Sequence, residues 1–425
     1  LGGEEVNVSP EHALLVFLEV YDYADLGRFG ASELKEKLQK TWKNILARES
    51  GAPAVKTEPP APSTGVSPTR LLTRIIGADH LNVAFVHNRT AAASPWTRGH
   101  EAGKAYLEEK LGKSVTCRSY FGANNSEQGE LALQTAIAEG ADVIFTTTPL
   151  MIAPSLKISV EYPKVRILNC ALHMPYSTVR TYYPRVYEAK FITGAIAGAM
   201  AKNNRIGYVG TYPIHGEPAA INAFALGAQL TNPRAKIELK WSCLKGNPSK
   251  ELFDSGIRVI SNRDTPDENR IYTDYGTYFY NEEGKSIPLG SPVWRWGKFY
   301  EHVLQAIRSG SFDDKTNQAV NYWWGLKSGV IDVTLTDKLP EGIRYLAQII
   351  RSGLHQGTMD PFLRRIVDQK GVVRCDGTQP LTPDELVKMD WLCDNVIGHI
   401  PTIDEVIPES RATVNLLGVF QEDLP

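Results

Sequence analysis

The chain has 425 residues, of which 42% are hydrophobic and 22% charged, and its formal charge is -2. This length allows two or three domains, the composition is typical of globular proteins, and the charge excludes a generally basic surface for nucleic acid. No apolar run is long enough to span a membrane. Five cysteines at long spacings, without a CxxC pair, predict buried thiols rather than a disulfide scaffold or a zinc site.

The first 49 residues are predicted to form a small helical module. Ser9 and Pro10 are typical of a helix start, and a second helix carries an apolar stripe of Leu34, Leu38, Trp42 and Leu46. The pair could be a helix-turn-helix DNA reader, but nine acidic residues against six basic ones in the first fifty favour a docking or dimerisation module. Residues 50–80 are rich in Pro, Ala and Ser and predict an extended linker.

From Leu81 onward, short apolar strands alternate with helices. The predicted strands are LNVAFVH, VTCRSYF, DVIFTTT, VRILNCA, RIGYVGT, KIELKW and RVISN. Two successive runs of this kind predict an α/β fold with parallel sheets covered on both faces, in lobes at 81–205 and 206–290. Residues 291–400 are predicted to supply a crossover, the completion of the lobes and C-terminal helices, and 401–425 a tail.

The segment 182–224 is predicted to join the two lobes. Its first half is a helix with small residues, including Gly194 and Gly198, which allow close packing on a neighbouring helix. Its second half is a strand, a loop and a new helix, which is the arrangement at which α/β proteins bind ligands. A ligand cleft is therefore expected beside this segment.

Several stretches carry a family resemblance across 81 to about 398. They are FTTTPLMIAPSLKISVEYP, TYYPRVYEAKFITGAIAGAMAKNNRIGYVG, INAFALGAQLTNPRAKIELKW, VWRWGKFYEHVLQAIRSG and PLTPDELVKMDWLCDNVIG. In order and spacing they resemble the basic membrane protein family, the purine nucleoside-binding substrate-binding proteins of ABC transporters. The resemblance implies the type I periplasmic-binding-protein fold, with two Rossmann-like lobes around a cleft. It also implies a small-molecule purine ligand, an ABC permease partner, and no cofactor or metal.

The resemblance further implies which side chains line the cleft. Trp96 stands where the family has an aromatic residue that stacks on a purine, and Thr97 beside it offers a hydrogen bond. The other implied ligand-binding residues are Thr147, Thr148, Tyr187, Glu188, Tyr212, Glu217, Asp264, Trp294 and Trp296. Packing in the core or the hinge is the alternative role of each tryptophan. The segment 275–279 lacks the family's ribose-gripping acid, which brings a free nucleobase into consideration beside a nucleoside.

The sequence offers no catalytic motif. GxSxG, Walker, HExxH and GxGxxG patterns are absent, so non-enzymatic binding is expected. One alternative is an intracellular purine-responsive sensor that signals through the N-terminal helices, and another is an interaction scaffold with a vestigial cleft. The family resemblance implies an extracytoplasmic protein, whereas the missing signal sequence and lipobox cysteine would fit a cytoplasmic one.

Overall fold

The computed structural model describes residues 54–60, 80–172, 175–176, 178–265, 274–312 and 319–419. The predicted helical module at 1–49 lies outside these residues. Within the predicted linker, three residues form a strand that pairs in parallel with Val320–Tyr322. They belong to the first sheet rather than to a free tether.

The helices and strands of the described residues follow the predicted alternation. Up to the middle of the chain they are β1 (Ala54–Lys56), β2 (Leu81–Val86), α1 (Pro95–Leu111), β3 (Val115–Tyr120), α2 (Ser126–Ala138), β4 (Val143–Thr146), α3 (Ile152–Glu161), β5 (Arg166–Cys170), β6 (Val179–Tyr182) and α4 (Val186–Met200). The second part contains β7 (Arg205–Gly210), α5 (Glu217–Thr231), β8 (Lys236–Trp241), α6 (Pro248–Asp254), β9 (Val259–Ser261), β10 (Thr277–Tyr280), β11 (Ser286–Trp294), α7 (Trp296–Ser309), β12 (Val320–Tyr322), β13 (Ile331–Leu335), α8 (Glu341–Gln356), β14 (Arg365–Val367), β15 (Val373–Asp376), α9 (Pro383–Val387), β16 (Val396–Ile397) and α10 (Pro408–Leu417).

The first sheet is entirely parallel, as predicted. Its strand order is β1-β12-β6-β5-β4-β2-β3. Helices α1 and α7 pack together on one face, and α2 and α3 cover the other. Burial on both faces explains why strands such as β2 and β4 are almost continuously apolar.

The second sheet is mixed, and the prediction of a purely parallel sheet was wrong here. Its order is β13-β11-β10-β9-β7-β8-β16, and β9, β10, β11 and β13 pair antiparallel. A tight turn at Gly284, with a φ of 74°, joins β10 to β11 without a helical crossover. The predicted loop at 275–279 therefore lies largely in a strand, and its Tyr278 is a core residue.

The chain passes between the two sheets three times. Helix α4 follows β6 of the first sheet but packs on the second, and α7 follows β11 of the second sheet but packs on α1 of the first. The chain then adds β12 to the first sheet before β13 completes the second. Strand β11 and helix α7 thus carry the chain from the second sheet back to the first.

The C-terminal part links the lobes again. Thr382 and Glu385 form a capping box at the start of α9, which is only five residues long. Leu417 at the end of α10 packs among apolar residues of the first lobe, while its carbonyl oxygen accepts a 3.0 Å hydrogen bond from the His215 backbone of the second. No helix in the described ranges is both long and apolar enough to cross a lipid bilayer.

Helices α4 and α5 are in very close contact, as the small residues predicted. A β-carbon on Gly194 would lie 2.1 Å from the Phe224 carbonyl oxygen, and one on Gly227 would lie 2.1 Å from that of Phe191. Both obstacles are backbone atoms, which cannot rotate away. The two backbones approach this closely only because neither position carries a side chain.

Gly194→Ala should therefore lower the free energy of unfolding by about 2 kcal/mol or more, since overpacking at a rigid contact typically costs about 1–3 kcal/mol. The matched control is Gly342→Ala, on the exposed first turn of α8, where a β-carbon meets no atom within 4 Å. That change should be neutral or stabilise by up to about 1 kcal/mol. Urea unfolding of both variants is the measurement, and equal effects would contradict the packing argument.

Candidate functional site

The site lies where the carboxyl ends of strands from both sheets meet. Strand β2 leads to α1, whose N-cap Ser94 accepts a hydrogen bond from the Thr97 backbone, and Pro95 opens the helix. This start places Trp96 in the first turn. Strand β4 runs into Thr147 and Thr148, and β7 runs into the loop that carries Tyr212. Side chains from separate parts of the chain thereby reach one region.

Trp96 is the centre of an aromatic group. Its indole N–H donates a 2.7 Å hydrogen bond to the Thr147 carbonyl oxygen. Its ring lies edge-on to Trp294 and Trp296, at centroid distances of 5.2 and 5.4 Å. Tyr183 lies nearly parallel to it, at 6.4 Å and 26°. Trp96 and Tyr183 are partly exposed, whereas Trp296 is buried, so a ligand can reach the first two rings.

The polar part of the site is built by the second sheet and α4. Lys190 Nζ lies 2.6 Å from Asp264 Oδ1, and both side chains are largely buried, at 5% and 12% exposure. Tyr208 donates a 3.4 Å hydrogen bond to Glu217 Oε1, and Lys190 Nζ lies 5.1 Å from the Tyr208 ring centroid. Lys190 is thus paired with Asp264, while Glu217 is bonded to Tyr208, whose ring lies beside the lysine.

Burial controls the protonation of these carboxyl groups. Burial raises the pKa of Glu217 to about 7, with Lys190 opposing the rise and Asp264 adding to it. Burial also raises the pKa of Asp264, although the ammonium group of Lys190 lowers it. The pKa of the Tyr183 hydroxyl is raised well above its usual value, first by burial and then by Cys170, Glu217 and Asp264. Tyr183 therefore connects the aromatic group with the acidic one.

Two predicted residues lie in a different environment. The Tyr187 ring packs against Trp323 and Phe362. Glu188 forms a 3.0 Å ion pair with Arg185 and accepts a 2.6 Å hydrogen bond from the Leu326 backbone. These contacts tie the start of α4 to the segment after β12, and they use the side chains in interlobe packing.

The remaining predicted residues differ in accessibility. Thr97 is fully buried, and Thr147 has no exposed surface, while Thr148 retains 8%. Tyr212 is partly exposed and packs at the edge of the core. In this arrangement Thr97 and Trp296 support the site from behind rather than face its opening.

Sequence reasoning missed Lys190 and Tyr183. The single lysine that directly precedes the small and apolar run FITGAIAGAM was the available signal, because a buried lysine needs a carboxylate partner. Tyr183 follows a strand of only four residues, β6, which the alternation pattern did not reveal. Its backbone N–H donates to the carbonyl oxygen of Tyr322 on the distant strand β12, a contact that no local pattern contains.

Two α/β lobes, one with a parallel and one with a mixed sheet, joined by crossovers and with facing carboxyl edges, define the periplasmic-binding-protein class of solute-binding folds. Solved structures agree on the fold. A solute-binding protein of an ABC transporter system from Conexibacter woesei aligns at TM-score 0.50 and 16% identity, covering 66% of this chain and 98% of its own. A transcriptional activator of the comK gene from Bacillus halodurans aligns at TM-score 0.51 and 16% identity, covering 66% and 99%.

Sequence comparison finds a match to a known family over part of the chain. Residues 80–276 match the family described as ABC transporter substrate-binding protein, PnrA-like. A purine-binding protein of Brucella abortus is 26% identical over 342 residues, which cover 76% of this chain and 96% of that protein. A putative ABC transporter glucose-binding protein of Haloferax volcanii is 27% identical over 266 residues, covering 59% and 66%. The predicted fold class is confirmed, and the predicted resemblance to this family is confirmed over residues 80–276.

The free energy of unfolding of Glu217→Gln should rise relative to that of the wild type as the pH increases. A carboxyl group whose pKa is raised on folding stabilises the protein fully below its unfolded value, and that contribution is lost as the pH rises toward about 7. The glutamine variant has no such loss. It should therefore gain about 1–3 kcal/mol over the wild type between pH 5 and pH 8 in urea unfolding.

Glu385→Gln is the opposite-sign control for this experiment. Hydrogen bonds from the backbone and hydroxyl of Thr382 lower the pKa of Glu385, so its contribution appears above the unfolded pKa and is lost in acid. The glutamine variant should be less stable than the wild type at neutral pH and converge with it in acid. A stability difference for Glu217→Gln that did not change with pH would rule out the burial of an ionisable Glu217.

Proposed function

We propose that this chain is a non-enzymatic solute-binding protein that takes a purine nucleobase or nucleoside between its two lobes and presents it to an ABC permease. The observation that supports this most directly is the position of Trp96. Its partly exposed ring stands at the carboxyl edge of the first sheet, across from buried carboxyl groups that belong to the second. A ligand held there would have a flat face on one side and hydrogen-bond acceptors on the other.

Trp96 and Tyr183 have the geometry of an aromatic clamp. A planar ring inserted between two others needs a separation of about 7 Å, twice the usual contact distance between carbon atoms. The present centroid distance of 6.4 Å at 26° is close to this value. Both rings stand at the carboxyl edge of the first sheet, so a small movement of the side chains would admit a purine. Closure of the lobes would then bury it, which is how two-lobed proteins convert binding into a change of shape.

The polar groups suit the edge of a purine. Ionised Asp264 and Glu217 are acceptors only, whereas Lys190 is a donor only. Lys190 already pairs with Asp264, so the remaining acceptor capacity of the two carboxylates is available to ring N–H, amino or ribose hydroxyl groups of a ligand. A ligand that brought only acceptors would meet repulsion.

The named relatives support a small-molecule ligand and suggest two chemical classes. The Brucella abortus relative carries the name of a purine-binding protein, and the Haloferax volcanii relative that of a putative glucose-binding protein. The aromatic pair favours the purine, since an indole face gives a flat heterocycle a large contact area. The predicted contacts of Trp96, Thr148, Tyr212, Glu217, Asp264 and Trp294 are retained in this proposal. Thr147 has no exposed surface and acts through its carbonyl oxygen, which accepts from the Trp96 indole.

Isothermal titration of the full chain with adenine, guanine, hypoxanthine, their ribonucleosides and glucose tests the proposed ligand class. At least one purine compound should bind with a dissociation constant in the micromolar range or below, and glucose should give no heat of binding. Binding of glucose alone would contradict the purine proposal while leaving solute binding intact. Absence of binding across the panel would contradict both.

Trp96→Ala should weaken binding of that purine by about 5- to 150-fold, because stacking of a base on an aromatic side chain is worth about 1–3 kcal/mol. Trp96→Phe keeps a flat ring and should lose less. Tyr345→Ala removes an aromatic side chain that is 66% exposed on α8 and serves as the control. Equal affinities of the wild type and Trp96→Ala would remove the stacking role.

A further inference from the structure

A chain of hydrogen bonds leaves Trp96 and returns to its own helix. The Trp96 indole donates to the Thr147 carbonyl oxygen at 2.7 Å, and the Thr147 hydroxyl lies 3.0 Å from His87 Nδ1. His87 Nε2 lies 3.0 Å from Glu101 Oε1, and Glu101 is on α1, five residues after Trp96. This closed network of hydrogen bonds connects α1 with the ends of β2 and β4.

One hydrogen position in this hydrogen-bond network, that on His87 Nε2, can be assigned. Burial raises the pKa of Glu101, but hydrogen bonds from His87, Ser119 and Lys104 lower it to about 2, so this carboxylate is ionised and can only accept. Nε2 of His87 must therefore carry the hydrogen. The Thr147 hydroxyl lies 3.0 Å from Nδ1 and also donates a 3.2 Å hydrogen bond to the Val86 carbonyl oxygen, so it is held between the ring and the end of β2.

A second branch holds the residues on either side of Thr147. The Asn169 side-chain amide donates to the Thr146 hydroxyl at 2.7 Å and to the Thr148 carbonyl oxygen at 2.9 Å. Asn169, Thr146, Thr147 and His87 all have 0% exposed surface. Hydrogen bonds in such a dry environment are strong, and breaking one leaves a polar group unsatisfied at high cost.

The order threonine, histidine and glutamate has the connectivity of a catalytic triad, but the geometry does not suit catalysis. A nucleophile must reach its substrate, whereas the Thr147 hydroxyl is enclosed and points to His87. The network instead acts on the site through the Thr147 carbonyl oxygen, which accepts the hydrogen bond from the Trp96 indole.

We propose that Glu101, His87 and Asn169 are positioning residues that fix the segment 146–148 and, through the Thr147 carbonyl oxygen, set the orientation of the Trp96 ring. The effect on the ligand rests on the proposed function. The effect on the ring does not, because it is a property of the unliganded protein. A preorganised ring binds more tightly than a mobile one, since its side-chain entropy is lost before the ligand arrives.

The first test reads the ring without a ligand. In full-length protein with ¹⁵N-labelled tryptophan, the indole signal of Trp96 is assigned by its loss in Trp96→Phe. Thr147→Val removes the hydroxyl but keeps the carbonyl oxygen, and it should shift this signal and speed its hydrogen exchange by about tenfold. Thr147→Ser retains the hydroxyl and should restore the wild-type signal. Glu101→Gln, at the far end of the network, should act in the same direction as Thr147→Val.

Glu130→Gln is the matched control, since it removes a similarly half-buried carboxylate that pairs with Lys157 at 2.8 Å in the same lobe. The Trp96 signal should not respond to it. An unchanged signal in both Thr147→Val and Glu101→Gln would overturn the proposal. So would a response to Thr147→Ser as large as that to Thr147→Val.

The second test measures affinity for the purine that binds best in the titration panel. Glu101→Gln should weaken it about tenfold in the wild-type background and by less than about twofold in Trp96→Ala, because coupled residues are non-additive. Equal losses in both backgrounds would show that Glu101 acts independently of Trp96 and overturn the proposal. If no purine binds the wild type, the function fails, and the indole signal still decides the positioning role.

Discussion

The close contact between α4 and α5 is the constraint on which the rest of the structure depends. The two backbones touch through Gly194 and Gly227, and α4 is also the segment that carries the chain from the first sheet to the second. Lys190 lies on α4 and Glu217 begins α5, so the same contact sets the distance between the charges of the site. A shift of either helix would move the polar half of the cleft against the aromatic half.

The two halves of the site follow different physical rules. The aromatic half is held by ring packing and one short hydrogen bond, that of Trp96 to Thr147, which water cannot compete for once the strand ends are buried. In the polar half, Lys190 pairs with Asp264 and also opposes the rise in the pKa of Glu217. Burying two ionised carboxyl groups with a single lysine costs free energy unless a further hydrogen-bond donor is present. The proposed purine ligand would suit both halves, because one molecule offers a flat face to the aromatic rings and N–H groups to the carboxylates.

Much of the fold was predictable because its signals are local. Apolar strands buried on both faces, helix caps such as Thr382 with Glu385, and the small residues of α4 are all visible in short windows of sequence. The antiparallel pairing of β10 with β9 and the addition of β1 to the first sheet were not predicted. Strand pairing is a contact between distant segments, and the sequence of each partner is compatible with more than one neighbour.

The candidate site shows the same division between local sequence signals and contacts of distant segments. The chemistry available could be read from the sequence: an aromatic residue after β2, acids after β9 and at the start of α5, and a family resemblance that named Trp96. Only the tertiary structure decided which of these meet. It joined Trp96 with Tyr183, gave Lys190 its partner Asp264, and directed Tyr187 and Glu188 into interlobe packing. The reason is that proximity and burial, which set pKa values and accessibility, arise only when separate segments fold together.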